Sequence, residues 1–542
     1  MLRFVAFCLL GILPSLAPAQ EVTGSITGSV VDPTGSAVAG ATVKLASEAT
    51  AAVRTAATDA EGNFVFTAVA PGLYAVTAEH PGFKKFEKQR LELVPGDTLT
   101  VGTLKLEVGS VSESVMVRAE GAMVQTSTSE RSGIVTSNQI ADLTVINRDY
   151  TTFASLQPGV VMTAGAEVQT FTGQNTFNVL GGRTTGNNFL IDGVPASNSN
   201  QGNFNTTLSL DATQTVEVKV ANFDAEYGRN QGMTIVAVSK GGTQQVHGAA
   251  YYYDRNEALN ANNFFNNKQG VKADGSMVSP RQKYRISNAG GTLGGPLRIP
   301  RTPSSRGKLF FFVASEEIRE VRPKAAQTIT VPTAIERKGD FSQSLTTAGK
   351  LIPVKDPLTA VAFPGNVVPA NRILQSTQNY LNLLPLPNFT NLAISAGNYN
   401  YIYQESLNVP KRIETGRLDY NMSSNTTMYA RFNYWFEDQS GAAVSAGNSA
   451  WGWFPDHYRC NTPSGVVSMT HIINATTVLQ ATMGFQRFNE AGSPLSDAEL
   501  AAKSRTATGV NIPQFHPEIN PYNVVPAASF GGVTSTSSNS VT

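Results

Sequence analysis

The stretch NVLGGRTTGNNFLIDGVP, residues 178–195, gathers a double glycine, an arginine and an Asp-Gly turn. A Gly-Gly-Arg run can cradle a phosphate, because glycine lets backbone amides approach an anion and arginine adds charge. The surroundings argue against that chemistry. No strand–loop–helix frames the run, and Arg183 has no partner Lys of the kind a phosphate loop needs. GGTLGGP, residues 290–296, fails the same test and reads as a turn beside the first strands of the C-terminal region. His80, His247, His457, His471 and His516 sit in no HExxH or HxxE neighbourhood, so no zinc pair is spelled. No G-x-S-x-G elbow is present. Glu316-Glu317, after the strand-like KLFFFVAS, reads as a solvated loop rim rather than an acid/base dyad. The reading is non-enzymatic, with no cofactor and no metal. Gly181 and Gly182 then serve a bend, Phe189 to Ile191 a short buried strand, and Asp192-Gly193 a turn toward Val194.

The elements around these residues are mainly β. Charged residues make up 15% of 542, and glycine reaches 47, a composition that suits β-structure, outer-membrane barrels included. A net charge of +1 leaves no nucleic-acid footprint. Residues 1–19 read as a secretory signal peptide. Arg3 supplies the basic start, Phe4 to Leu13 the apolar run, and Ala17-Pro18-Ala19 the cleavage site. The mature chain keeps Cys460 alone, so no internal disulfide forms.

Residues 24–108 alternate short strands with turns at Asp32-Pro33, Glu61-Gly62-Asn63, Pro71-Gly72 and Pro81-Gly82, which predicts a β-sandwich. Residues 109–121 read as a linker holding the extended run Glu113, Ser114, Val115, Met116, Val117. Residues 122–242 read as a mixed α/β domain. Ser137 could cap a short helix, and Val216, Val218 and Val220 alternate with Glu217 and Lys219 as a strand. Residues 243–542 return to period two on longer segments. Ala430, Phe432, Tyr434 and Phe436 share one face and Tyr429, Arg431 and Asn433 the other; Leu479, Ala481, Met483 and Phe485 oppose Gln480, Thr482, Gly484 and Gln486. Ile413 to Met422 is expected to pair with Tyr429 to Phe436, and Val466 to Ile473 with Val478 to Phe488. Strands of about ten residues, apolar outside and polar inside, predict a transmembrane barrel. A soluble sandwich strand alternates equally well, but the polar inserts 255–282 and 320–410 suit extracellular loops better.

Residues 28–32 (GSVVD), 58–64 (TDAEGNF) and 71–76 (PGLYAV) resemble a carboxypeptidase regulatory-like domain. Its name brings no peptidase, since the residues of a metal centre are absent. LGGRTTGNNFLIDGV from Leu180, LDATQTVEV from Leu210, FDAEYGRNQG from Phe223, SKGGTQQVHG from Ser239 and TAIERKGDFS from Thr333 extend the likeness from about residue 24 to 345. The chain resembles a TonB-dependent outer-membrane receptor of the Oar-like group. The resemblance implies a transthyretin-like sandwich in the periplasm, a plug, and a transmembrane antiparallel barrel set in outer-membrane lipid. It also implies TonB with ExbB and ExbD as partners, and an extracellular ligand such as a siderophore, cobalamin, oligosaccharide or peptide. The plug motif falls on Gly181, Gly182, Arg183, Asp192, Gly193, Glu226, Gly228 and Arg229, with Arg183 in a salt bridge inside the lumen and Asp192 as one partner open to it. By position, Glu113 to Val117 is the candidate TonB box; the last strand of the sandwich and a plain linker are the other readings of that run.

Relatives of this type have about 22 strands, and 243–542 has room for roughly ten at most. The expectation is the first part of a barrel, from a longer receptor or a truncated gene product. A second function stays open. A surface adhesion protein could hold polysaccharide through aromatic loops such as FNNKQG and WGWFPDHY, without energised transport.

Overall fold

The computed structural model describes residues 23–536, apart from 110–113, 119–128, 146, 165–173, 198–203, 224–226, 229–230, 269, 272–274, 276, 278, 282, 299–306, 325, 347, 443, 445–450, 475–476, 515, 526–527 and 531–533. The expected signal peptide lies outside the described residues.

The first domain is a sandwich whose turns are held by aspartates. Asp32 Oδ1 accepts from the Thr34 and Ser36 amides at 2.8 and 2.9 Å, and Asp59 Oδ1 from the Asn63 amide at 2.7 Å. These turns return β1 (Gly24–Val31), β2 (Thr42–Ser47), β3 (Val53–Ala57), β4 (Asn63–Val69), β5 (Gly72–Glu79), β6 (Lys85–Leu93) and β7 (Thr98–Lys105). One sheet runs β4-β1-β7. The other runs β3-β2-β5-β6-β8, where β8 is Ser114–Arg118 and pairs parallel to β6. Between the sheets lies a closed apolar core with Ile26, Leu45, Phe64, Phe66, Leu91 and Leu93.

The central domain has a five-stranded sheet, β13-β12-β15-β14-β9. Its strands are β9 (Arg131–Val135), β12 (Asn188–Ile191), β13 (Val194–Pro195), β14 (Thr213–Ala221) and β15 (Thr234–Ser239), with a side hairpin of β10 (Val160–Ala164) and β11 (Thr176–Val179). The helix Ser137–Asp142 is capped by Thr136, in a capping box with Gln139, and not by Ser137. Thr136 is the residue left extended, so its hydroxyl meets the free amide of Gln139. The alternation along β14 also misleads, because Glu217 and Lys219 are 3% and 2% exposed. β14 is buried on both faces, its polar side by an ion cluster.

The third region is an antiparallel meander of long strands: β16 (His247–Asn256), β17 (Arg285–Pro296), β18 (Leu309–Pro323), β21 (Ser406–Ser423), β22 (Thr426–Gly441), β23 (Asp456–Asn474) and β24 (Thr477–Gln486). β25 (Asn489–Pro494) continues beyond β24 and pairs with the upper half of β23. A small hairpin of β19 (Gln327–Ile329) and β20 (Tyr401–Tyr403) sits in the connection between β18 and β21. Both expected hairpins form, with Ile413 opposite Trp435 and Val467 opposite Met483. GGTLGGP is no turn but the body of β17. A Cβ on Gly290 would come 2.4 Å from the Tyr251 hydroxyl, so the missing side chain makes room for a neighbouring ring.

Facing alternates strictly. Along β22 the inward Arg431, Asn433, Trp435, Glu437 and Gln439 are buried, while Phe432 is 49% exposed. At about 3.3 Å per residue, β18, β21, β22 and β23 are longer than a bilayer core requires. Outward residues are mainly apolar toward the short-turn end, at Phe311, Val313, Leu418, Tyr420, Phe432, Val467 and Met469. Charged residues join them from Glu414 and Arg412, which lie opposite Tyr434 and Phe436, and Glu317, Arg319, Asp438 and Arg459 follow toward the other end. Residues 424–425 and the facing strand ends Asn474 and Thr477 mark the short-turn end, while β16, β18 and β22 end and β17, β21 and β23 begin at the other. The sandwich sits by the short turns, its β1, β4 and β7 face opposite Ser424, Asn425 and Asn474.

Phe432→Arg, in the outward apolar band, should cost about 2–4 kcal/mol of stability in lipid. Arg319→Ala, above the band, should stay within about 0.5 kcal/mol. Denaturant titration of both variants in lipid vesicles checks the depth of the band.

Candidate functional site

The stretch Asn178–Pro195 becomes a bend and a hairpin. Leu180 and Gly181 take φ of 49° and 81°, and the Gly182 amide closes on Val179 O at 2.8 Å. Asp192 and Gly193 take φ of 51° and 77°, the pair of left-handed residues that a two-residue I′ turn requires. Ile191 then faces Val194, and Phe189, Leu190 and Ile191 are buried as expected.

That turn aims Asp192 at the inner wall of the long sheet. Its carboxylate lies 2.6 Å from Arg431 Nε on β22 and 3.8 Å from Arg417 on β21. It also accepts from the Ser239 amide and hydroxyl, both at 2.8 Å. Arg417 donates to Ser239 O at 2.9 Å, pairs with Asp419, and lies 4.4 Å from the Tyr429 ring centre. Tyr429 in turn donates to Asp192 O at 3.3 Å. Arg183 is not the partner. The short 3₁₀ turn Thr184–Gly186 carries it outward, where it is exposed and makes no ion pair among the described residues. Glu226 and Arg229 lie outside the described residues, while Gly228 follows the buried Tyr227.

A second cluster joins the same two bodies. Arg148, with φ of 51°, pairs with Asp211 in the central domain and with Glu316 on β18 at 2.9 Å. Its guanidinium lies 4.7 Å from the ring centres of both Tyr251 and Tyr253 on β16. Asn288 and Tyr251 donate to Glu316 as well, at 2.9 and 3.2 Å. Burial opposes the charge on Arg148, but Glu316 and Asp211 outweigh it and raise its pKa. Glu316 is therefore no loop rim. It is 1% exposed because even residues of β18 face inward, while Glu317 faces out.

Between the clusters the contact is apolar and amide-rich. Phe204 lies 5.9 Å from Trp435 ring to ring, and Asn433 donates to Thr206 and Thr207, both at 2.9 Å. One buried core includes Ile191, Val216 and Ile235 of the central domain with Ile318, Ile413 and Trp435 of the wall. Sequence reasoning missed Arg148, Asp211, Arg417 and Arg431 as a site. The inward-facing arginines of β21 and β22 were the available signal, since a lipid-facing sheet keeps charge on its inner side only for a partner.

Two other expectations meet the structure here. Ser114–Arg118 is an edge strand of the sandwich sheet, and Glu113 lies outside the described residues. In WGWFPDHY, Trp451 and Trp453 stack on each other at 5.1 Å and are 7% and 8% exposed in a loop core with Tyr380, Leu500 and Val510. They are not free to stack on a glycan. Phe265 of FNNKQG and the preceding Phe264 are exposed.

A sheet apolar outside and charged inside, fastened to a domain on its inner wall, defines a membrane barrel with an internal stopper. Residues 238–542 match the model of the outer membrane beta barrel domain, 124–233 that of the TonB-dependent receptor plug domain, and 25–107 that of the carboxypeptidase regulatory-like domain. The chain belongs to the TonB-dependent receptors of the outer membrane. It is 23% identical over 271 residues to the TonB-dependent transporter Oar of Myxococcus xanthus, covering 48% of this chain and 23% of that protein. Among solved structures it is similar to the outer membrane transporter YddB of Escherichia coli, with 12% identity, a TM-score of 0.43, and 68% of this chain and 40% of that one covered. The alcaligin outer membrane receptor FauA of Bordetella pertussis gives 10%, 0.36, 68% and 41%. The chain thus spans less than half the length of these relatives.

Asp192→Ala should destabilise the plug against the wall by about 3–5 kcal/mol, because it strands Arg431 in a dry site. Arg183→Ala should change little, within about 0.5 kcal/mol. Hydrogen exchange across residues 188–195 separates the two. Arg148→Lys should also weaken the seam, since an ammonium cannot lie over two rings and pair with two carboxylates as a guanidinium does. Its readout is faster exchange at residues 147–156.

Proposed function

We propose that the receptor to which this chain belongs imports an extracellular ligand across the outer membrane, with energy relayed by TonB with ExbB and ExbD. It has no catalytic role. The observation that carries this reading is the charged seam. A stopper held by a few ion pairs to a rigid wall can be shifted when those pairs are pulled apart, and hydrophobic packing alone offers no such discrete fastening. The ligand, a siderophore, cobalamin, oligosaccharide or peptide, meets the long loops first. The sandwich lies in the periplasm, beside the short turns.

Force has to enter through a segment that another chain can grip. β8, with Ser114, Val115, Met116 and Val117, is our candidate for the TonB box, together with Glu113. It is an extended edge strand placed just before the plug, and strand addition needs such an edge. Val115→Pro removes one ladder donor from it. Energised uptake should fall to background while ligand binding to whole cells stays at the wild-type level. Unchanged uptake in a folded Val115→Pro protein refutes the assignment.

The exposed Phe264 and Phe265 favour a second reading, a surface protein that holds polysaccharide without transport. Ligand accumulation that survives collapse of the proton gradient would select it.

A further inference from the structure

The plug carries a charge cluster that the seam does not use. Lys219 Nζ donates to Glu130 at 2.7 Å and to Glu217 at 2.8 Å, and lies 4.7 Å from the Tyr227 ring centre. The sandwich roofs it. A Cβ on Gly96, in the turn between β6 and β7, would stand 3.0 Å from the Tyr227 hydroxyl and 3.6 Å from Lys219 Nζ. The next residue, Asp97, adds a third carboxylate within electrostatic reach of Lys219 and Glu130. One ammonium therefore faces three carboxylates drawn from two domains.

The charged groups around Glu217, among the described residues, are Lys219 on its own strand, Glu130 ahead of β9, and Asp97 from the sandwich. The strands on either side set Ile134 and Val236 opposite it. One Glu217 oxygen takes the bond from Lys219, and the other is buried without a hydrogen-bond partner. A charged oxygen left so is costly to bury, and protonation removes the charge. Among the described residues, the other contacts of the sandwich with the rest of the chain include single hydrogen bonds. The apolar core of the sandwich is separate from that of the plug. Gln244 donates to Ala49 O and Thr50 O at 3.0 and 2.9 Å, and Thr23 donates to Gln480 at 3.3 Å. A small polar interface of this kind leaves a domain free to part from its neighbour.

We propose that Asp97, Glu130, Glu217 and Lys219 form a proton-operated latch, which docks the sandwich on the plug when one carboxylate is protonated and releases it when all three are charged. Burial pushes the Glu217 carboxyl up to about 7, against the pull of Lys219, and raises Asp97 as well. Undocking wets the cluster and returns both toward ordinary carboxylate values. A group whose pKa is higher in the docked state favours docking at low pH, and that contribution is lost as pH rises through about 7. The latch depends on neither the cargo nor TonB.

The test uses the full chain in lipid vesicles, with Cys8 and Cys460 replaced by Ser and spin labels at Ser36→Cys and Ser424→Cys. Pulsed dipolar spectroscopy should give one short distance at about pH 5.5, and a longer population several-fold larger at about pH 8.5. Glu217→Gln, which copies the protonated side chain, should hold the short distance at both pH values. Asp97→Asn should damp the response in the same sense, and it lies in the separately folded sandwich should Glu217→Gln disturb the plug. A distance that ignores pH in the parent, or a parental pH response retained in both variants, overturns the latch.

Discussion

Charge buried in pairs across the plug–barrel seam is the constraint on which this structure rests. A sheet that faces lipid on one side must turn its charges to the other, and charges turned inward lose water. Arg417 and Arg431 are tolerated inside because Asp192 meets them, and Glu316 because Arg148 does. Ser239 and Tyr429 complete Asp192, and Asn288 and Tyr251 complete Glu316, while Arg431 Nη1 stays buried without a hydrogen-bond partner. The same pairs give the plug a definite position, which packing of Ile191 or Phe204 against Trp435 alone would leave adjustable.

The three regions are joined by different physics. Plug and barrel share one apolar core and two ion clusters, so they behave as one body. The sandwich closes a core of its own and touches the others through single hydrogen bonds and the Lys219 cluster. Stability and mobility are thereby divided within one chain. The seam resists motion until it is pulled, and the sandwich contact responds to the state of a few carboxylates.

Much of the fold was legible in the sequence because it follows from period and punctuation. Aspartate turns and short alternating runs specify the sandwich. Asp192-Gly193 specifies a two-residue turn, since both positions must take positive φ. Ala430, Phe432, Tyr434 and Phe436 specify an outward apolar stripe. What misled was alternation read as exposure. Glu217 and Lys219 look like a wet face and are dry, Glu316 looks like a rim and is buried, and the Trp451–Trp453 pair looks like a binding platform and is a loop core. GGTLGGP looks like a turn because glycine usually breaks strands; here it lets Tyr251 lie across one.

The sequence by itself determined most strands, their alternation and the aspartate turns, because these depend on residues a few places apart. It also determined that charge would lie on the inner face. Only the tertiary structure decided which charges meet. Arg148 and Glu316 are 168 residues apart, and Asp192 is more than 200 residues from its partners on the wall. No local pattern selects Arg431 over Arg183 for Asp192. The choice falls to the register of the meander and the direction of one turn, which set a carboxylate and a guanidinium within contact distance out of reach of water.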